Sequence, residues 1–192
     1  MRPAYTRPVT QQNPFQVAAR LEQTGQFQQA RSMYRQLAGK HPRSASVFAG
    51  IGRCSLAMHE YQDAERALES AVRVEPRNPD HRCNLAFCLL SMGKPDEARE
   101  QARAALELKP DHPFALRTLA ETYRITGEAQ MAYDTIAPAF KSGKHDALML
   151  IYFARLARGV GRHEEAVDIL SGLDNAATLS DQVRSALHFE LG

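Results

Sequence analysis

Residues 55–64 and 89–98 carry one pattern written twice. Ser55-Leu56-Ala57-Met58-His59-Glu60-Tyr61-Gln62-Asp63-Ala64 aligns with Leu89-Leu90-Ser91-Met92-Gly93-Lys94-Pro95-Asp96-Glu97-Ala98, a step of 34 that also carries Pro76 onto Pro110. A fixed period of this size constrains the fold more than any composition could, because one such unit cannot bury its own apolar face and must stack on its neighbours. The step extends both ways: Ala64 leads to Ala30, Ala98, Ala132 and Ala166, and Gly93 to Gly25, Gly127 and Gly161, with His59 the one substitute. From Asn78 it reaches Thr10, Ser44, His112, Asp146 and Ser180, and all but His112 are of the Ser, Thr, Asn and Asp types that accept from a helix's first free N–H groups. Pro42, Pro76 and Pro110 close the first three units, where Lys144 and Thr178 stand in the next two. The units are 11–44, 45–78, 79–112, 113–146 and 147–180, after a lead of residues 1–10 and before the start of a further unit, 181–192.

Inside each unit the pattern is that of a helical hairpin: a cap, apolar places at three- and four-residue spacing, a glycine break, and a second apolar-periodic run ending near proline. In the third unit Asn78 caps, Pro79 enters where its missing N–H is not needed, and Leu85, Ala86 and Leu89 form the inward stripe. Gly93 breaks the helix, Pro95 opens the next, and Ala98, Ala102, Ala105 and Leu106 face back. Gly52, Ala86, Ala120 and Ala154, with the alanine series, let paired helices approach closely.

These residues resemble the tetratricopeptide repeat, with its 34-residue period, small residue in the first helix, alanine in the second and closing proline. The resemblance implies an all-α fold, a right-handed superhelical array of antiparallel helix pairs. It departs from the family at the frequent tryptophan near each unit's start, where Pro14, Phe48, Arg82, Leu116 and Leu150 stand. It departs again at His59 and at the two missing prolines.

The family's fold further implies that the first helices line a groove, whose residues would be Arg53, Asn84, Phe87, Phe114, Arg117, Glu121, Arg124, Tyr152, Arg155 and Arg158. Five arginines against one glutamate make that lining basic, so the expected occupant is a protein or peptide segment that is acidic with apolar anchors. The family's clamp for a terminal carboxylate is not expected, because Ala49 and Phe114 stand where it would carry lysine, although Asn84 fits. The function expected is thus a protein-interaction scaffold.

Composition narrows the alternatives. Lys plus Arg number 24 against 22 acidic residues, a net charge of +2, which gives no electrostatic footprint for nucleic acid. No apolar run reaches the roughly 18 residues of a membrane helix, and residues 1–13 lack a signal-peptide core; a cytoplasmic location is the default. Cys54 and Cys88 are repeat equivalents and read as small packing residues. A metal site from His81, Cys83 and Cys88 lacks a fourth ligand, so neither metal nor cofactor is expected. Lys141-Ser142-Gly143-Lys144 lacks the spacing of a phosphate loop, Arg162-His163-Glu164-Glu165 lacks the second histidine of a zinc-protease helix, and no catalytic constellation is found. At the far end, Asp181 to Gly192 resembles the helix before the catalytic domain of bacterial repeat-linked sulfotransferases. That likeness implies an alternative, the non-catalytic arm of a larger enzyme. The apolar side of that segment, Leu187, Phe189 and Leu191, is expected to support self-association.

Overall fold

The computed structural model describes residues 13–141 and 147–174, with side chains over 13–140 and 149–169. Thr10, Asp146, Lys144, Thr178, Ser180 and the 181–192 segment lie outside them. Every regular element among the described residues is an α-helix. The chain divides into two compact units, Met1–Pro76 and Arg77–Gly192.

The first unit holds α1 (Pro14–Gln23), α2 (Phe27–Lys40), α3 (Ala45–Ala57) and α4 (Tyr61–Val74). The second holds α5 (Pro79–Ser91), α6 (Pro95–Leu108), α7 (Pro113–Ile125), α8 (Ala129–Lys141), α9 (Ala147–Gly159) and α10 (His163–Asp174). The period is written into the helix starts: α2, α4, α6, α8 and α10 begin at 27, 61, 95, 129 and 163, and α3, α5, α7 and α9 at 45, 79, 113 and 147. Only α1 is out of step. It begins at Pro14 because Asn13, whose side-chain oxygen accepts from Phe15 N at 3.0 Å, caps it three residues after the place the period assigns to Thr10.

Local chemistry explains the boundaries. Asn78 caps α5 by accepting from Asp80 N at 3.0 Å, whereas the Ser44 hydroxyl is engaged with Ser46 Oγ at 3.0 Å and does not cap α3. Gly25, Gly93, Gly127 and Gly161 all adopt positive φ, 77°, 74°, 83° and 81°. That conformation reverses the chain between the two helices of a pair and suits glycine, which has no Cβ to clash. His59 takes the same conformation, φ 59°, with Nδ1 held 2.9 Å from the Tyr61 hydroxyl. Pro42, Pro76 and Pro110 each stand two residues beyond the ends of α2, α4 and α6. Pro138 sits on the exposed side of α8, where water can satisfy the carbonyl its missing N–H leaves.

The alanine series forms the seam of each pair: Ala30, Ala64, Ala98 and Ala132 are fully buried and Ala166 nearly so. In the first unit Ala18, Ala30, Tyr34, Leu37, Val47, Ile51 and Cys54 form the core. In the second, Ala86, Ala102, Ala120 and Ala132 let larger groups interdigitate around Phe153, whose ring lies 5.0 Å from Tyr133 and 4.6 Å from Phe140. Cys54, Cys83 and Cys88 are all buried and none forms a disulfide. No described helix is long and apolar enough to cross a membrane.

Candidate functional site

The first helices of successive pairs in the second unit are α5, α7 and α9, and a cavity of about 320 Å³ opens across them. Phe87 and Leu90 come from α5, Phe114, Arg117, Thr118 and Glu121 from α7, and Tyr152 and Arg155 from α9. Six of the ten residues expected from the sequence are therefore brought together. Asn84 lies half-buried on α5, and Arg124 and Arg158 are exposed on α7 and α9, outside the described lining. Arg53 belongs to the first unit.

Leu90 and Thr118 were not among the expected residues, although the period identifies them. Counting 34 residues back from Tyr152 gives Thr118 and then Asn84, and from Arg124 gives Leu90. The lining is one repeated face, and its chemistry changes from repeat to repeat.

One wall is aromatic. Phe87 is 43% exposed, so much of its apolar ring is left to solvent. Its ring centroid lies 5.7 Å from that of Phe114, tilted by 49°, and the Arg117 guanidinium sits 5.4 Å from the Phe114 centroid.

The lining also carries a carboxylate cluster. Arg124 grips Glu121 through two bonds, Nε to Oε2 at 2.8 Å and Nη2 to Oε1 at 2.6 Å, and the Tyr152 hydroxyl donates to Oε2 at 2.7 Å. Burial alone would raise the Glu121 pKa, but the hydrogen bonds from Arg124 and Tyr152 and the charges of Arg124 and Arg155 outweigh it and hold the carboxyl below the ordinary glutamate value. Tyr152 moves the other way, its phenol pushed well up by burial and by the carboxylate it donates to. The first unit repeats the device: Glu22 accepts from Arg53 Nε at 2.5 Å and Nη2 at 2.9 Å, and from the Tyr34 hydroxyl at 2.9 Å. Two of the five arginines counted as a basic surface, Arg53 and Arg124, are thus each committed to a carboxylate of their own unit.

A second polar cluster was not foreseen. Cys83 Sγ lies 3.7 Å from His112 Nδ1, and His112 Nε2 lies 2.9 Å from Asp80 Oδ1. The order Cys, His, Asp looks like a nucleophilic triad, but His112 Nδ1 accepts the bond from Ala115 N at 3.3 Å that caps α7. The ring proton then resides on Nε2 and is donated to Asp80. Burial, with the Asp80 charge adding to it, pushes the Cys83 thiol up to about 12, and burial pushes Cys54 up to about 11, so neither is an accessible thiolate at neutral pH. The cluster is a helix cap. Among the described residues no group of three or more His, Cys, Asp and Glu is placed to hold a metal ion.

Comparison with known proteins places the chain in a family. The thermophilic tetratricopeptide-repeat protein TTC0263 of Thermus thermophilus superposes with a TM-score of 0.80 at 17% identity, over 94% of this chain and 98% of that one. YrrB, a tetratricopeptide-repeat protein with an unusual peptide-binding site, gives a TM-score of 0.63 at 18% identity, over 93% and 91%. A chain of the Cut9–Hcn1 hetero-tetramer gives 0.77 at 16%, over 92% of this chain and 35% of that one. At these identities the likeness is one of fold. No curated protein matches the chain in sequence, and none of these likenesses points to a sulfotransferase. The family model described as the cilia and flagella-associated protein 70 C-terminal domain matches residues 4–188, nearly the whole length. The chain therefore belongs to that tetratricopeptide-repeat family.

Proposed function

We propose that the chain is a protein-interaction scaffold whose second unit holds an acidic, apolar-anchored segment of a partner protein in the groove across α5, α7 and α9. The observation that carries this is the composition of the 320 Å³ cavity, an aromatic wall beside arginines on a protein that is otherwise nearly neutral. Repeat arrays of this fold are typically holders of other proteins rather than catalysts, and YrrB supplies a precedent for peptide binding on the same fold.

The energetics assign roles within the groove. Micromolar binding requires about 8 kcal/mol, while an exposed ion pair contributes about 0.2–1 kcal/mol. Charge alone falls short by a wide margin. A bulky apolar side chain taken from water contributes about 1.5–3 kcal/mol, so Phe87, Phe114 and Tyr152 supply the anchoring and the arginines set register and encounter rate. The test is affinity capture with the parent protein and with Phe114→Ala in parallel, identifying bound proteins by mass spectrometry. A true partner is depleted on Phe114→Ala through faster dissociation, and Arg117→Glu slows its association and flattens the salt dependence. Partners retained equally by parent and both variants would place binding elsewhere.

A further inference from the structure

We infer that Arg117, and not Arg124, is the cation that reads the partner's carboxylate, and that the segment held here carries that carboxylate within two residues of a bulky apolar side chain seated between Phe87, Leu90 and Phe114. This rests on the groove reading above and deepens it. The two arginines lie on the same helix, seven positions apart, yet their surroundings differ in kind. Arg124 spends Nε and Nη2 on Glu121, and Glu121 in turn holds the Tyr152 hydroxyl. Glu121 is in effect a resident carboxylate: it fills the anion site that Arg124 would offer and cancels its charge.

Arg117 has no carboxylate partner among the described residues. Its contact is with the Phe114 ring, 5.4 Å from guanidinium to centroid. A cation–π contact uses none of the five N–H donors of arginine, so the fork remains available for bidentate recognition of a carboxylate. The same Phe114 ring that supports the guanidinium also faces Phe87 at 5.7 Å. The apolar cleft and the cation therefore share a wall, and one short segment reaches both. An extended chain advances about 3.3 Å per residue, which sets the apolar and acidic side chains within two residues of each other. Charge complementarity fixes the sign: with the Arg124–Glu121 pair neutral, Arg117 leaves this part of the lining cationic.

The probe is a rhodamine-labelled, N-acetylated hexapeptide with two glutamates, a central Phe-Leu pair and two aspartates, followed by fluorescence anisotropy. One control carries Gln and Asn for the four acids, and another carries Ala-Ala at the centre. The double variant Glu121→Gln/Arg124→Gln removes the resident pair without changing net charge and loosens the hold on the Tyr152 hydroxyl, so it is expected to weaken the probe, but less than Arg117→Gln does. Arg117→Gln is expected to weaken it about tenfold and to reduce its salt dependence, with Arg117→Lys, which keeps charge but loses the fork, in between. Helix content by circular dichroism confirms that each variant is folded. If Arg117→Gln binds like the parent, or the double variant loses as much as Arg117→Gln, the assignment to Arg117 is wrong while the groove reading stands. If the parent binds the acidic Phe-Leu peptide no better than either control, the groove reading fails and this assignment with it.

Discussion

Replacing Gly52 by alanine sets two well-defined effects against each other. Gly52 lies inside α3, where alanine is favoured over glycine by about 1 kcal/mol from helix propensity. A Cβ built there, however, would meet Leu68 on α4, at 2.5 Å from Cγ, 2.7 Å from Cδ2 and 3.3 Å from Cδ1. Leu68 is fully buried and cannot swing into solvent. Overpacking of this kind costs about 1–3 kcal/mol, so Gly52→Ala should lower stability by about 0–2 kcal/mol once the propensity gain is subtracted. The same two places are occupied by Ala86 with Ala102 in one repeat and Ala120 with Ile136 in another. The obstruction therefore comes from the Leu68 side chain rather than from the repeat's backbone geometry. Leu68→Ala alone should cost about 2–5 kcal/mol, and in that background Gly52→Ala should stabilise by its propensity term, about 1 kcal/mol. Urea unfolding of the four proteins, followed by helical circular dichroism, then gives a coupling of about 1–3 kcal/mol. If Gly52→Ala stabilises by the same amount in both backgrounds, close approach at this glycine is not what the position is selected for.

Two further substitutions probe chain reversal and capping. His59→Gly relieves a left-handed conformation that costs an ordinary residue about 1–2 kcal/mol, offset by about 0.4–1 kcal/mol of added unfolded-chain freedom and by the exposed bond to Tyr61. The expected result is a stability gain of about 0–1 kcal/mol in urea unfolding, and a loss above about 1 kcal/mol would mean that the Tyr61 contact outweighs the strain. Asn78→Ala removes the oxygen that accepts from Asp80 N and should cost about 0.5–2 kcal/mol, recovered by Asn78→Asp; equal stability of the three proteins would show that the cap contributes nothing.

The architecture was legible because repetition averages out local ambiguity. A single alanine means little, but Ala30, Ala64, Ala98, Ala132 and Ala166 at one interval name the seam of every pair, and all five are buried. Departures from the period were harder to read. Nothing in the repeat announces Asn13 as the cap of the first helix, because that start lies with an Asn-Pro pair that stands outside the period. At the site, the face was legible and its charge was not. Glu22 finds Arg53 and Glu121 finds Tyr152 across intervals of 31 residues, from one first helix to the next, so each partner depends on how neighbouring helices meet. Counting arginines along the sequence gives a basic groove, while the folded chain cancels two of those charges with carboxylates of the same unit. His112 was legible as a cap position but not as a cap that also engages Asp80 and Cys83.

The cluster at Glu121 makes a prediction that separates electrostatics from packing. Its folded pKa is depressed below the ordinary value of 4.5, so the folded state favours the ionised form more than the unfolded chain does. By linkage that preference stabilises the protein fully above the unfolded pKa and is lost as pH falls through the folded one. Glu121→Gln keeps the size of the side chain and an oxygen for Tyr152 and Arg124, but not the charge. The stability difference between parent and variant should therefore be constant from about pH 6 to 8, begin to shrink near the ordinary glutamate range, and close as Glu121 protonates in the folded protein. Tyr152→Phe removes one of the bonds that depress the pKa, and in that background the shrinkage should begin and finish over a narrower interval, with the folded value closer to the unfolded one. Asp63 and Glu128 also have lowered values, but they are common to both proteins and cancel in the difference. A parent-to-variant difference that is unchanged between about pH 3 and pH 7 would show that Glu121 contributes shape alone. The carboxylate could then not be what neutralises Arg124, and the contrast drawn between Arg124 and Arg117 would lose its electrostatic basis.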